Sequence, residues 1–275
     1  MKLKVEHTTS FEYDAPVYET ATELRLTPMN RIGCGQRRLD FALAVTPATK
    51  SYPYFDSFGN SVEYFNLLHS NSSLAISTVS IVETGLPRTD EVEDPIRLID
   101  YLIESRYVAL DNTIATFVQP FNKAKEPFEQ ADHVARAIKD SFVYVPGVTD
   151  VHSTSVEVIG LKQGVCQDFA HVMIAACRTM GLPARYVSGY LYGGEESEGA
   201  DRASHAWCQV YCGPSLGWCG FDPTHDNIYL DERYIEIGVG RDYGDVPPVR
   251  GTYKGVAKEK LSVVVRVTDV DRVHQ

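Results

Sequence analysis

Between Gly164 and Thr224 the chain specifies a helix and then a hairpin, and each carries chemically reactive side chains. Gly164-Val165-Cys166 leads into Phe169, Val172, Ala176 and Met180, which recur at helical spacing until Gly181-Leu182-Pro183 stops the pattern. Cys166 is thereby expected at or near a helix N-terminus. The next segment alternates at period two, with Ala206, Cys208, Val210 and Cys212 on one side and His205, Trp207, Gln209 and Tyr211 on the other. Gly213-Pro-Ser-Leu-Gly217 reads as a turn, so Trp218 to Asp222 is expected to return antiparallel and bring Asp222 near His205.

That order supplies a nucleophile, a base and an orienting carboxylate. A thiol attacks carbonyl carbon efficiently only as thiolate, and both the dipole of a helix N-terminus and a neighbouring imidazole favour the charged form. The Cys166 amide hydrogen, free at a helix start, is also placed to stabilise an oxyanion. A carboxylate on one imidazole nitrogen fixes the tautomer and leaves the other nitrogen for the thiol proton. Taken singly, Cys166 reads as a small buried apolar residue, His205 as a structural strand histidine and Asp222 as the opener of an Asp-Pro turn. Their coincidence in register favours the reading as a candidate triad of Cys166, His205 and Asp222.

Gly164-Val-Cys166-Gln-Asp-Phe-Ala-His171, Gly181-Leu-Pro-Ala-Arg-Tyr-Val-Ser-Gly-Tyr190, Ser204-His205-Ala-Trp207, Gly217-Trp-Cys-Gly-Phe-Asp222-Pro-Thr224 and Gly240-Arg-Asp-Tyr-Gly-Asp-Val-Pro-Pro248 together resemble the transglutaminase-like superfamily, in its bacterial branch of cysteine-protease-like members. The resemblance spans nearly the whole chain. It implies a papain-like core in which the matching Cys166, His205 and Asp222 form the catalytic triad, preceded by a β-rich domain. Members with this triad cleave, deamidate or cross-link amides. Animal members stabilise the oxyanion with an upstream Trp, whereas Trp207 and Trp218 here both follow the cysteine. Phe142-Val-Tyr144, upstream of Cys166, offers an aromatic side chain to line the acyl site instead.

The fold class expected is α+β: a β-sandwich-like N-terminal domain followed by a papain-like, transglutaminase-core α+β domain. Short strands with turn signals run from Leu3 to about Thr84, as in Leu39, Phe41, Leu43 and Val45 alternating with Asp40, Ala42, Ala44 and Thr46. Helical spacing starts after Asp94, at Ile96, Ile99, Leu102 and Ile103, and again at Phe128, Ala131, Val134, Ala135 and Ile138. Asp90-Glu-Val-Glu-Asp-Pro95 reads as a linker, which divides the chain into residues 1–88 and 89–275. A last alternating run, Leu261 to Val267, closes the second sheet or returns to the first domain.

A formal net charge of −11 argues against nucleic acid or an anionic membrane surface as partner. No segment approaches the ~20 apolar residues that span a bilayer, and the N-terminus lacks a secretory pattern, so the expected location is cytoplasmic and the six cysteines are expected as thiols. The expected partner is a peptide or amide substrate, with a homo-oligomer left open and no cofactor or metal called for. The spacing of Cys208, Cys212 and Cys219 matches no common zinc site. His171 is rotated about 140° from Cys166 on its helix and is expected to pack structurally. Asp168 complements the helix dipole, and His225 is placed to line the cleft. Gly193-Gly-Glu-Glu-Ser-Glu-Gly-Ala-Asp201 is an acidic loop before His205 that either gates the cleft or is simply solvated.

Overall fold

The computed structural model describes residues 1–30, 33–87, 95–194 and 204–271. The boundary at residue 88, most of the expected linker and residues 195–201 of the acidic loop lie outside them. The first half contributes β1 (Lys2–Leu24), β2 (Gln36–Thr46), β3 (Tyr52–Phe55), β4 (Ser61–Leu67) and β5 (Asn71–Thr84). There follow α1 (Pro95–Ile99), α2 (Asn112–Val118), α3 (Pro127–Ser141), β6 (Val143–Tyr144), α4 (Ser155–Leu161), β7 (Gln163–Gly164) and α5 (Cys166–Thr179). The chain continues with β8 (Ala184–Leu191), β9 (His205–Tyr211), β10 (Trp218–Phe221), β11 (Tyr234–Gly240), β12 (Val249–Lys254) and β13 (Glu259–Asp269). The α+β expectation is met.

One long strand organises the N-terminal half. Residues 3–13 of β1 pair with β5 on one edge and β13 on the other, whereas residues 18–24 pair with β4 and β12. The register slips between Glu12 and Val17, where Pro16 has no amide hydrogen for a ladder. β1 thus belongs to two leaves, ordered β2-β5-β1-β13 and β3-β4-β1-β12. Between them Leu24, Leu26, Phe65, Leu67, Leu74 and Ile76 are buried, packed against Leu43 and Val45. Fully burying such a side chain is worth roughly 1.5–3 kcal/mol, which is why the alternating pattern folds into a sandwich. Leu39 falls out of phase and is exposed, because the β2 register shifts between Arg38 and Asp40. The final run returns to the first half's sheet, as β13.

The second half is built on α5. Its residues from Asp168 to Arg178 are all buried, so it is a central helix rather than an amphipathic surface one. α2, α3 and α4 pack around it, and Ala131, Val134, Ala135 and Ile138 of α3 face inward at the expected spacing. The spacing after Asp94 overreaches: α1 ends at Ile99, and Ile96, Ile99 and Ile103 are exposed. An antiparallel sheet ordered β10-β9-β8-β11 covers one side of α5. Ala206, Cys208 and Val210 of β9, with Cys212 just beyond it, face α5, while Trp207 packs with Met29, Val187, Tyr234 and Val239 on the opposite face. Leu3, Val5, Val82 and Val265 meet Tyr190, Tyr192, Ile235 and Ile237 across that second face.

The outer edge of β11 is closed by side chains. Gln36 exchanges two 2.8 Å hydrogen bonds with the Glu236 backbone, and Asn60 exchanges two 2.8 Å bonds with that of Val239. These amides occupy the donor and acceptor positions that a further strand would fill.

Candidate active site

Cys166 is the first residue of α5, and three neighbouring segments fix it there. β6 and β7 form a short parallel bridge, Tyr144 opposite Gly164, that sets the entry to the helix. Val165, at the N-cap, has no side chain able to accept a hydrogen bond. Asp168 supplies that acceptor from within the first turn: its Oδ2 accepts from the Val165 amide at 2.8 Å and from Thr149 Oγ1 at 2.6 Å. Glycine is required at 164, since a Cβ there would lie 2.6 Å from Asp168 Oδ2. Burial raises the Asp168 carboxyl above its ordinary pKa, while its bonds from Thr149 and Val165 pull the other way. The sequence reading assigned Asp168 to helix stabilisation, and its contacts are of that kind.

His205 opens β9, and Asp222 follows β10. The hairpin turn is held by Cys212 N to Gly217 O at 2.8 Å and Gly217 N to Gly213 O at 2.8 Å, with both glycines at positive φ. Its register carries the chain back so that His205 Nε2 lies 2.6 Å from Asp222 Oδ2. Cys166 lines the same cleft as this ring and acts on it electrostatically, and because Asp222 takes Nε2 the nitrogen left for the thiol is Nδ1. Burial disfavours charge on the ring, but the hydrogen bond to Asp222 and the influence of Cys166 outweigh it, raising His205 to about 10. Asp222 is fully buried; desolvation opposes its ionisation, yet the bond and charge of His205 and the Thr224 amide at 2.9 Å lower it to about 2. The three side chains singled out from the sequence therefore meet, with the imidazole between thiol and carboxylate.

Tyr234 completes the carboxylate's surroundings, donating from its hydroxyl to Asp222 Oδ2 at 2.9 Å. Sequence reasoning missed it. Tyr234 comes from β11, where Ile235, Ile237 and Val239 alternate with Tyr234, Glu236 and Gly238, but the strand is buried on both faces and nothing in that pattern marks the tyrosine as a partner of Asp222. Its ring also stands edge-on to Trp207, with centroids 5.2 Å apart.

Cys166, His205, Tyr144, Leu191, Ser204, Thr224 and His225 line a cleft of about 390 Å³. Tyr144 and His225, both flagged from sequence, are in the cleft and substantially exposed. Tyr144 is held edge-on to Phe169 at 6.3 Å, and its phenol is raised first by burial and then by the charges of Cys166, Asp222 and Asp168, so it keeps its proton at neutral pH. His171 is buried away from the cleft, stacked on Tyr107 at 5.5 Å and accepting the Tyr243 amide at 3.1 Å. Cys177 and Cys208 are buried, and burial raises both thiols. Among the described residues, the one set of three possible metal ligands is His205, Asp222 and His225, within 4.8 Å of one another. A cation there would have to break the His205–Asp222 bond.

A polarised thiol at a helix start, an imidazole able to hold or give its proton and a buried carboxylate are together equipped to attack an acyl carbon and protonate a leaving group. Comparison with known proteins points the same way. Residues 3–83 match the bacterial transglutaminase-like N-terminal region and residues 115–223 the transglutaminase-like superfamily core. An uncharacterized protein of Mycobacterium leprae is 35% identical over 97% of this chain and 98% of its own. A protein-glutamine gamma-glutamyltransferase of Pseudomonas aeruginosa is 31% identical over 51% of this chain and 19% of its own. The crystal structure of a "putative cysteine protease" from Cytophaga hutchinsonii superposes with a TM-score of 0.79 at 24% identity, covering 98% of this chain and 92% of that one, which is a shared fold.

Proposed function

The chain belongs to the transglutaminase-like superfamily, and from this we propose that it is a cysteine-dependent acyl-transfer enzyme that acts on amide bonds of peptides or related compounds, with water as acceptor. The observation that carries the reading is the His205–Asp222 pair, bonded through Nε2 at 2.6 Å, in one cleft with Cys166 at the start of α5. The sulfur attacks as thiolate, its proton carried by His205, whose imidazolium is raised to about 10. It adds to the amide carbonyl, and the carbonyl π electrons move to oxygen, where the free amide hydrogens of the α5 N-terminus stabilise them. Collapse of the adduct breaks the C–N bond as the His205 imidazolium protonates the departing amine. The neutral ring then takes a proton from water, hydroxide attacks the thioester, and the thiolate–imidazolium pair is restored with the acid as product. Asp222 keeps the ring oriented throughout. Water as acceptor is favoured by the open cleft, where His225 and Tyr144 are both exposed.

A second reading, transfer to a primary amine in place of water, is favoured by the Pseudomonas relative named as a protein-glutamine gamma-glutamyltransferase. Wild-type and Cys166→Ala protein, incubated with a mixed peptide library and a labelled primary amine, separate the two by mass spectrometry. Cysteine-dependent chain cleavage or deamidation supports hydrolysis, label on glutamine side chains supports transamidation, and identical products from both proteins overturn acyl transfer in favour of a binding or scaffold role.

A further inference from the structure

A second cavity, of about 520 Å³, runs between the first sheet and the α5 half, a size typical of a ligand site. It adjoins the cleft. Ser204 lines both, and Gln167, the neighbour of Cys166, lines the groove with its Nε2 on Val151 O at 3.2 Å.

Two arginines, Arg106 and Arg250, line its wall near Gly244. Arg250 donates to the Gly244 carbonyl, and a Cβ on Gly244 would lie 3.9 Å from Arg106 Cδ. Arg106 also lies over the Tyr107 ring at 5.3 Å. Among the described residues neither arginine has a carboxylate within 4 Å, although the chain as a whole is strongly acidic. The acids around them have other hydrogen-bond partners, and of these Glu23 also feels the Arg250 charge. Asp242 accepts from Tyr107 N at 2.9 Å and Gly244 N at 2.8 Å, and Asp245 holds Arg241 at 2.9 Å. Glu23, cross-strand from Arg250, is bonded to Tyr54 at 2.7 Å and Arg25 at 3.3 Å. Glu259 lines the stretch of the groove formed by β13 and Tyr13.

The same wall carries an unmet demand for hydrogen bonds. Thr20 and Thr22 are each 2% exposed, and their hydroxyls have no partner. A desolvated hydroxyl is costly unless a ligand meets it, and a peptide carbonyl or carboxylate is the complement of a hydroxyl beside two guanidinium groups.

We propose that this groove binds the peptide chain to one side of the attacked amide and selects a carboxylate side chain on it, an inference that rests on the acyl-transfer reading above. The test uses thiol-reactive hexapeptides and needs no known substrate. One series carries an N-terminal chloroacetyl group, the other a C-terminal chloromethyl ketone, and each has Glu, Gln or Lys scanned through its positions. The rate of Cys166 alkylation is read by intact mass. Glu is expected to react about tenfold faster than Gln at one position and Lys more slowly, a preference that shrinks at high salt. Arg106→Gln/Arg250→Gln is expected to bring the Glu-to-Gln ratio to about one, and Arg106→Lys/Arg250→Lys to retain most of it. Equal Glu and Gln rates at every position, or a ratio that survives in the glutamine variant, overturn the groove assignment. Iodoacetamide is run beside the peptides on wild-type protein: if Cys166 reacts no faster than an ordinary thiol below neutrality, the acyl-transfer reading itself is overturned.

Discussion

Replacing Asp222 by Asn probes the centre of the site with a change of one atom. In the native protein His205 is held at about 10 against an ordinary 6.5, by Asp222 and Cys166 acting against burial. If the two partners contribute comparably, loss of the carboxylate lowers the imidazolium by about two pH units, or about 2–3 kcal/mol. The amide cannot reproduce the carboxylate in either orientation. With its oxygen toward His205 and Tyr234 it turns an NH2 on the Thr224 amide, and flipped it turns that NH2 on the imidazole and the phenol. One donor is then left facing another, at a cost of about 1–3 kcal/mol. NMR titration of protein labelled with 13C-histidine reads the ring directly: His205 should titrate near 10 in wild type and near 8 in Asp222→Asn. Stability follows. A raised imidazole stabilises the fold fully below 6.5 and loses that contribution as pH rises through about 10, so thermal unfolding should weaken over that window in wild type and flatten in the variant. A His205 titration unmoved by the substitution would refute the ion-pair argument.

Cys166→Ala should abolish turnover and leave the melting temperature within about 2 °C, since the thiol is partly exposed and only borders the core around α5; residual turnover assayed on any cleaved peptide would reject the nucleophile. Tyr234→Phe removes one of the donors to Asp222 and should cost about 1–2 kcal/mol, read as a loss of roughly 2–5 °C in calorimetry. Asp168→Ala strips the acceptor from Val165 N and Thr149 and should cost about 1–2 kcal/mol, whereas Asp168→Asn keeps an acceptor and should unfold almost as wild type does. Since the Asp168 carboxyl is raised in the fold, wild type alone should lose a little stability as pH climbs from the ordinary Asp value through the raised one; urea titrations across pH 4–7 compare the two. Gly189→Ala is expected to yield little folded protein, because its Cβ would lie 2.2 Å from the Ile235 carbonyl oxygen and 2.4 Å from the Trp207 ring; soluble expression with native circular dichroism would contradict the packing.

What the sequence made legible was local. α5 could be read because a glycine entry, apolar spacing and a Gly-Leu-Pro stop all lie within a few residues of Cys166, and the hairpin that delivers Asp222 because its turn is bounded by two glycines. The illegible parts depend on distance along the chain or on double burial. Tyr234 meets Asp222 from a strand buried on both faces, and Gln36 meets Glu236 across 200 residues. Helical spacing after Asp94 suggested too long a helix because Ile96, Ile99 and Ile103 face solvent, and periodicity alone does not report what a face packs against.

The double membership of β1 also sets an order of events. Every member of the apolar core around α5 lies between Val108 and Val246, so that half can condense as soon as those residues have left the ribosome. One edge of the first strand, by contrast, waits for β13, synthesised roughly 250 residues later, and the 3–13 ladder cannot close before then. Contacts of such high sequence separation form slowly. Until β13 is made, the nascent chain therefore carries an open, pairing-competent sheet edge through which copies on one messenger are exposed to joining one another.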